Sequence, residues 1–241
     1  MKELLRHNRD EVLARIHAAA EAGGRDPSEV RLVAVTKSVA SDVALALAGL
    51  GQLDLAENRA PVFEEKVAAF RAAGVEVRWH FIGHIQRNKA RRVARLADVI
   101  HSVDSLALLE TLDRVCAEEG LRREIYLQVK VADESAKGGL APDEVAAAAA
   151  RAAASASLTL RGLMAMAPLE PSGDRQAAAA EAFAALRTLS LDLPHELFGG
   201  PPAQLSMGMS GDYEIAVREG AHLVRVGTAL FRGLRAGEPA P

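Results

Sequence analysis

Hydrophobic residues fall into two alternating patterns along the chain. The first twenty or so residues are amphipathic: Leu5, Val12, Leu13 and Ile16 repeat at helical spacing, and Gly23-Gly24 ends the run. A helix is predicted from about Lys2 to Ala22. RLVAVTK (Arg31 to Lys37) follows, short, apolar and bounded by turn signals, and reads as a buried strand. Ser41-Asp42 is placed to cap a helix that ends near Gly49.

The alternation then repeats. The predicted strands are QLDLAEN, RWHFIG, DVIHSV, REIYLQVKVA, LTLRGLMAM, AQLSMG and HLVRVG. The predicted helices are PVFEEKVAAFRAAG with Pro61 in its first turn, QRNKARRVARLA, SLALLETLDRVCAEEG, PDEVAAAAARAAASA, RQAAAAEAFAALRTLS, GDYEIAVREG and a short last one in TALFRGLR. Eight strand–helix units after a leading helix imply a parallel sheet covered by helices. The 241 residues match the roughly 250 of one (β/α)₈ barrel. The fold class expected is therefore α/β, a single (β/α)₈ TIM barrel with an extra N-terminal helix, in one domain spanning residues 1–241. An open doubly wound sheet is the alternative, but no G-x-G-x-x-G follows the first strand. No linker rich in proline, glycine or serine divides the chain, and the tail GEPAP is expected to fray.

Half the residues are apolar and a quarter charged, the mix of an ordinary soluble protein. The net charge of -3 gives no reason to expect nucleic acid or an anionic membrane as partner. The N-terminus carries charges throughout and lacks the apolar stretch of a signal peptide, and no apolar run is long enough for an anchor. The single cysteine, Cys116, excludes an internal disulfide, fits a cytoplasmic location, and reads as a buried helix residue. A monomer is expected.

In such barrels the chemistry sits at the C-terminal ends of the strands. That rule selects Lys37, Glu57 to Arg59, His80 to His84, His101 to Asp104, Lys130 to Lys137, Met164 to Pro168, Ser206 to Ser210 and Arg225 to Thr228. Strand periodicity turns Val33, Val35 and Lys37 to one side, so Lys37 crowns the interior if the valines fill it. Enclosure there, or a cation such as Arg225, would favour the neutral amine that attacks carbonyls. Alternatively, Lys37 simply reaches solvent at the rim. Gly227-Thr228, where a strand runs into a short helix, offers free N–H groups of the kind that bind phosphate, with Ser206, Gly208 and Ser210 as the facing wall. The alternative is a plain strand–helix turn.

A lysine after strand one and an anion cup after strands seven and eight suit a phosphorylated aldehyde, and pyridoxal phosphate (PLP) fits both ends. Arg225 would face the pyridine nitrogen and keep it unprotonated, or else form a salt bridge in the mouth. His80 reads as a hydrogen-bonded interior histidine. Met164, Met166, Met207 and Met209 read as packing, with Met209 also placed to touch the ring. The basic stretch Arg87 to Arg95 reads as a solvated helix face. No histidine spacing suggests a metal site.

The segments LVAVTK, AEN, WHFIGHIQRNK, HSVDSL, LQVKVADESAKGG, RGLMAM, LSMGMSGDYEIAV and VRVGTALF occur in that order. Together they resemble the pyridoxal phosphate homeostasis protein family (YggS/PROSC type) over residues 2 to 234. The resemblance implies a barrel like the alanine racemase N-terminal domain and a Schiff base of PLP on Lys37. It also implies phosphate contacts from Ser206, Gly227 and Thr228, Arg225 near the ring nitrogen and Asn58 near the ring. It implies a role in buffering PLP or delivering it to PLP-dependent apoenzymes, with no assigned reaction. A PLP-dependent racemase is the alternative. Such an enzyme needs a second acid–base group, which in the racemases is a tyrosine from a second domain, and here only Tyr213 is placed to reach. The chain departs from the family pattern at Leu55-Ala56, at Arg59 to Pro61 and at Lys130.

Overall fold

The computed structural model describes residues 1–131, 138–168 and 173–234. Helix α1 (Lys2–Ala22) precedes β1 (Arg31–Val35), α2 (Ser41–Ala48), β2 (Asp54–Glu57), α3 (Ala60–Ala72), β3 (Arg78–Phe81) and α4 (Ala90–Leu96). Then come β4 (Val99–Val103), α5 (Leu106–Glu118), β5 (Arg123–Gln128), α6 (Val145–Ala153), β6 (Leu158–Met164), α7 (Arg175–Leu191), β7 (Gln204–Ser206), α8 (Tyr213–Arg218) and β8 (Leu223–Val226). The eight strands pair in sequence order, and β8 closes on β1 in parallel, with Val33 opposite Arg225 and Ala34 opposite Val226. This is the expected (β/α)₈ barrel. The expected fifth strand and the expected loop after it run into residues 132–137, and the expected fraying of the tail falls on residues 237–241; both lie outside the described residues.

Three local expectations need correction. The chain after β8 forms turns over 228–233 rather than a helix. Its carbonyls are taken instead by α1: Asn8 Nδ2 donates to Leu230 O at 3.0 Å and to Arg232 O at 2.9 Å. Helix α1 lies against both α8 and α2 and so fills the place of the eighth outer helix. The cap of α2 is Ala40, not Ser41, because the extended backbone of Ala40 makes Ser41 the first helical residue; Asp42 still lies in the first turn, where the helix dipole favours it. A short 3₁₀ turn at His195–Phe198, absent from the expectation, precedes β7.

Two cores divide the apolar residues. Between sheet and helices, Phe63 and Phe70 meet Trp79 edge-on, at centroid distances of 5.4 and 5.0 Å. Cys116 is buried in this outer layer, as expected, and burial pushes its thiol pKa up. Inside the barrel, Val33, Val35, Ala56, Val99, Tyr126, Met164 and Leu223 pack together. The remaining interior volume is polar. His80 Nε2 lies 2.9 Å from Asp54 Oδ1, and His80 Nδ1 lies 2.9 Å from His101 Nε2. The ring of His101 stacks on Tyr126 at 4.7 Å, and the Tyr126 hydroxyl donates to Gln204 Oε1 at 2.6 Å. His80 is thus the interior histidine expected, and His101 joins it mid-strand instead of standing at the mouth. Arg91, Arg92 and Arg95 pair with Glu64, Glu118 and Glu119 on the helix surface, as a solvated face should.

An ion pair locks the ends of β1 and β2 from behind. Lys66 of α3, with its side chain 2% exposed, bonds both the Thr36 carbonyl and Glu57, and the Thr36 hydroxyl donates to Glu57 Oε1 at 2.6 Å. Removing one partner of a buried pair strands the other charge, whereas replacing both with apolar groups does not. Lys66→Met is therefore expected to lower stability by about 3–5 kcal/mol in urea melts, and Lys66→Met with Glu57→Leu to recover most of that loss.

The interior histidines make stability pH-dependent. Burial pushes the pKa of His80 down against the opposing hydrogen bond to Asp54; burial, with the nearby His80 and Arg225, pushes His101 well down. The unfolded chain protonates both histidines below its ordinary value of 6.5, while the folded chain keeps them neutral. Their contribution is thus complete above pH about 6.5 and is lost as the pH falls toward the folded values, at up to about 1.4 kcal/mol per pH unit for each ring. Urea melts at pH 7.5 and 5.5, as round values about this point, are expected to show the drop, and a flat profile would contradict neutral interior histidines.

Candidate functional site

At the C-terminal ends of the strands the barrel opens into a cavity of about 360 Å³, within the range of small-ligand sites. Seven of the eight residues expected at the site line it: Lys37, Asn58, Met209, Ser210, Arg225, Gly227 and Thr228. Ser206 does not. Its hydroxyl is fully buried beneath the cavity, between Arg225 Nη1 at 2.7 Å and His101 Nδ1 at 2.8 Å, because alternation along β7 turns it into the barrel. Of the wall expected from Ser206, Gly208 and Ser210, Ser210 lines the cavity and Ser206 and Gly208 do not; Gly211 lies beside Ser210 in the lining.

Lys37 stands on the rim. The strand ladder ends at Val35, and Val35 points inward as expected, but Lys37 lies two residues beyond the ladder and is exposed rather than enclosed. Its backbone is held on one side by the Lys66 bond to the Thr36 carbonyl and on the other by Thr36 N–H donating to Ala56 O at 3.0 Å.

Across the β1–β8 seam from Lys37 lies a cradle of donors. The Ser210 hydroxyl accepts from Gly227 N–H at 3.2 Å and Ala229 N–H at 3.3 Å. The backbone N–H groups of Ser210, Gly211 and Thr228 have no hydrogen-bond partner among the described residues. Unpaired N–H groups lining one cavity can serve as an anion site even where, as here, no regular helix follows. The loop reaches this shape because Gly208 has φ +90°, and a Cβ there would lie 2.5 Å from Ala216 Cβ.

Arg225, 3% exposed, also lines the cavity. Nη1 donates to Ser206 Oγ at 2.7 Å and Nη2 to Ala165 O at 3.0 Å. Burial pushes its pKa down to about 10, with Asp212 opposing, so it remains a cation at neutral pH. Both bonded oxygens are uncharged, so the salt bridge considered for Arg225 is not what holds it. With five N–H groups and two bonds, it keeps donors for a ligand.

Asn58 carries the clearest mark of a missing partner. Its Oδ1 is buried and makes no hydrogen bond, and buried acceptors are rarely left so without a functional reason. The turn holding it is tight: a Cβ on Gly83 would lie 1.9 Å from Asn58 O. Ile82, Met164, Met166 and Met209 form apolar walls. A flat apolar middle, an orphaned amide oxygen, a buried cation and an anion cradle fit PLP, with the Lys37 amine at the rim for its aldehyde.

Ile82, within the selected range His80 to His84, lines the cavity; Ser38 and Gly211 line it without having been selected, and Ser38, next to Lys37, was within reach of the strand-end rule. Neither tyrosine lines the cavity: Tyr126 is in the barrel interior, and Tyr213 packs outward, with Arg15 of α1 over its ring at 5.8 Å. The reach expected of Tyr213 is therefore not observed. His84 instead pairs with Asp104 at 3.0 Å on the rim. Among the described residues no group of three His, Cys, Asp or Glu side chains could hold a metal ion.

Comparison with known proteins places these residues in a family. The alanine racemase N-terminal domain family matches residues 8–234. The pyridoxal phosphate homeostasis protein of Pseudomonas aeruginosa is 42% identical over 229 residues, 95% of each chain. That of Escherichia coli K12 is 36% identical over 230 residues, 93% of this chain and 94% of its own. PipY of Synechococcus elongatus, in a structure with PLP bound, has a TM-score of 0.77 at 34% identity, over 90% of this chain and 99% of that one. An alanine racemase of Clostridium difficile shares the barrel alone: TM-score 0.69 at 15% identity, over 99% of this chain and 58% of that one. The chain belongs to the alanine racemase N-terminal domain family and, within it, to the pyridoxal phosphate homeostasis proteins.

Proposed function

We propose that this chain binds PLP in the barrel mouth as a Schiff base on Lys37 and works as a monomer in the cytoplasm in PLP homeostasis, buffering the cofactor or delivering it to PLP-dependent apoenzymes. The observation that carries this reading is one cavity lined by an amine at its rim, an anion cradle and a buried arginine. The pyridoxal phosphate homeostasis proteins and PLP-bound PipY, each more than 30% identical, support it.

Each residue has a physical role. The N–H groups of Ser210, Gly211 and Thr228, with the Ser210 and Thr228 hydroxyls, hold the phosphate. Arg225 offers an N–H to the ring nitrogen, and a permanent cation beside that atom keeps it unprotonated. This weakens the ring as an electron sink, which suits storage over turnover. Asn58 faces the ring with an acceptor to spare, and the methionines give its faces apolar contact. PLP when bound would supply an aldehyde, and the Lys37 side chain at the rim would be the amine that holds it.

The carrier reading is favoured over a racemase by the tyrosines. A two-base reaction needs a second acid–base group facing the cavity, and both tyrosines point elsewhere. Among the described residues no helix is long and apolar enough to cross a membrane.

The purified protein is expected to show a visible absorbance band with PLP that borohydride abolishes, fixing the cofactor on Lys37. Lys37→Ala is expected to show no reducible band. A wild-type protein that stays colourless with added PLP would overturn the reading.

A further inference from the structure

We infer that Asp54, His80, His101 and Ser206 form a one-way hydrogen-bond chain through the barrel core that positions Arg225. The links run Arg225 Nη1 to Ser206 Oγ, 2.7 Å; Ser206 Oγ to His101 Nδ1, 2.8 Å; His101 Nε2 to His80 Nδ1, 2.9 Å; and His80 Nε2 to Asp54 Oδ1, 2.9 Å. It starts at the cavity and ends at the first residue of β2, at the opposite end of the barrel, where the Asp54 side chain is 24% exposed.

The end groups decide the direction. Arginine has only donors, so Ser206 Oγ accepts from it. An ionised carboxylate only accepts, so His80 Nε2 carries a proton. A neutral His80 then has a bare Nδ1, which requires a proton on His101 Nε2. A neutral His101 in turn has a bare Nδ1, which requires the Ser206 proton. One arrangement satisfies all four links. The competing ones, a doubly protonated His101 or a doubly protonated His80 with its neighbour carrying the proton on Nδ1, each put a second cation in the core. The charged groups around the chain oppose that as well: Arg31 of β1 and Arg78 of β3 face it, Arg78 also pairing with Glu124, and among the described residues Asp54 is the anion bonded to the rings.

The consequence falls on Arg225. With Nη1 committed to Ser206 and Nη2 to Ala165 O, the guanidinium plane is fixed and its free N–H groups face the cavity. Ser206 is therefore a positioning residue, not a phosphate ligand. That Arg225 presents these donors to a pyridine nitrogen rests on the PLP reading above; the chain itself does not.

Nitrogen-15 NMR of the full chain without ligand tests the chain. His80 and His101 are expected as neutral Nε2–H tautomers at neutral pH, and Arg225 as a rotationally locked guanidinium with separately resolved Nη signals. Ser206→Ala is expected to collapse the Arg225 signals to an average and shift His101 Nδ1; Ser206→Thr, which keeps the hydroxyl, is expected to preserve both. A doubly protonated or Nδ1–H ring in the wild type, or unchanged Arg225 signals in Ser206→Ala, would overturn the inference. PLP titration of the same sample separates the two ideas: failure to bind PLP defeats the cofactor reading, while the ligand-free signals still decide the chain.

Discussion

Everything at the barrel mouth depends on the closure of β8 against β1. The pairs Val33–Arg225 and Ala34–Val226 bring the two ends of the chain side by side, and only this register puts Lys37, Arg225 and the 227–228 turn around one cavity. Closure also leaves the sheet without an edge. It requires an outer layer at the seam, and α1 supplies it, its Asn8 taking the carbonyls of the segment after β8, which stays a turn.

The barrel spends part of its interior on polarity. Asp54, His80, His101, Ser206 and Arg225 occupy positions that valine or isoleucine would fill in a purely structural barrel. Burying such groups costs stability unless each is hydrogen-bonded, and here each is. The Lys66–Glu57 pair repeats the logic outside the barrel, where it fastens the backbone that leads to Lys37. Both networks end at the mouth. Rigid support under a ligand site reduces the ordering that binding must impose.

The strand–helix alternation was legible because each strand is a short apolar run between turn residues, and even three-residue β7 sits at its expected place. The site was legible where side-chain type and strand end coincide, as at Lys37, Arg225 and Gly227. Two kinds of information were not. The depth of a side chain depends on where a ladder stops: enclosure and a solvent-reaching rim position were both open for Lys37, and the end of β1 at Val35 leaves it exposed at the rim. The facing of a side chain in a short strand depends on register across the closed barrel, which placed Ser206 under Arg225 and His101 mid-barrel. Tyr213 turned outward for a related reason, since α8 packs on α1, a contact between distant parts of the chain.

The central claim is that one ligand is held at two ends, by the Lys37 amine and by the donors of Ser210, Gly211 and Thr228. Comparing the affinity of the protein for pyridoxal and for pyridoxal 5'-phosphate tests this most directly. Two charge-assisted hydrogen bonds at about 1.5–3 kcal/mol each predict at least a hundredfold or so weaker binding without the phosphate. Equal affinity for the two aldehydes would contradict the account, because the cradle would then contribute nothing to holding the ligand.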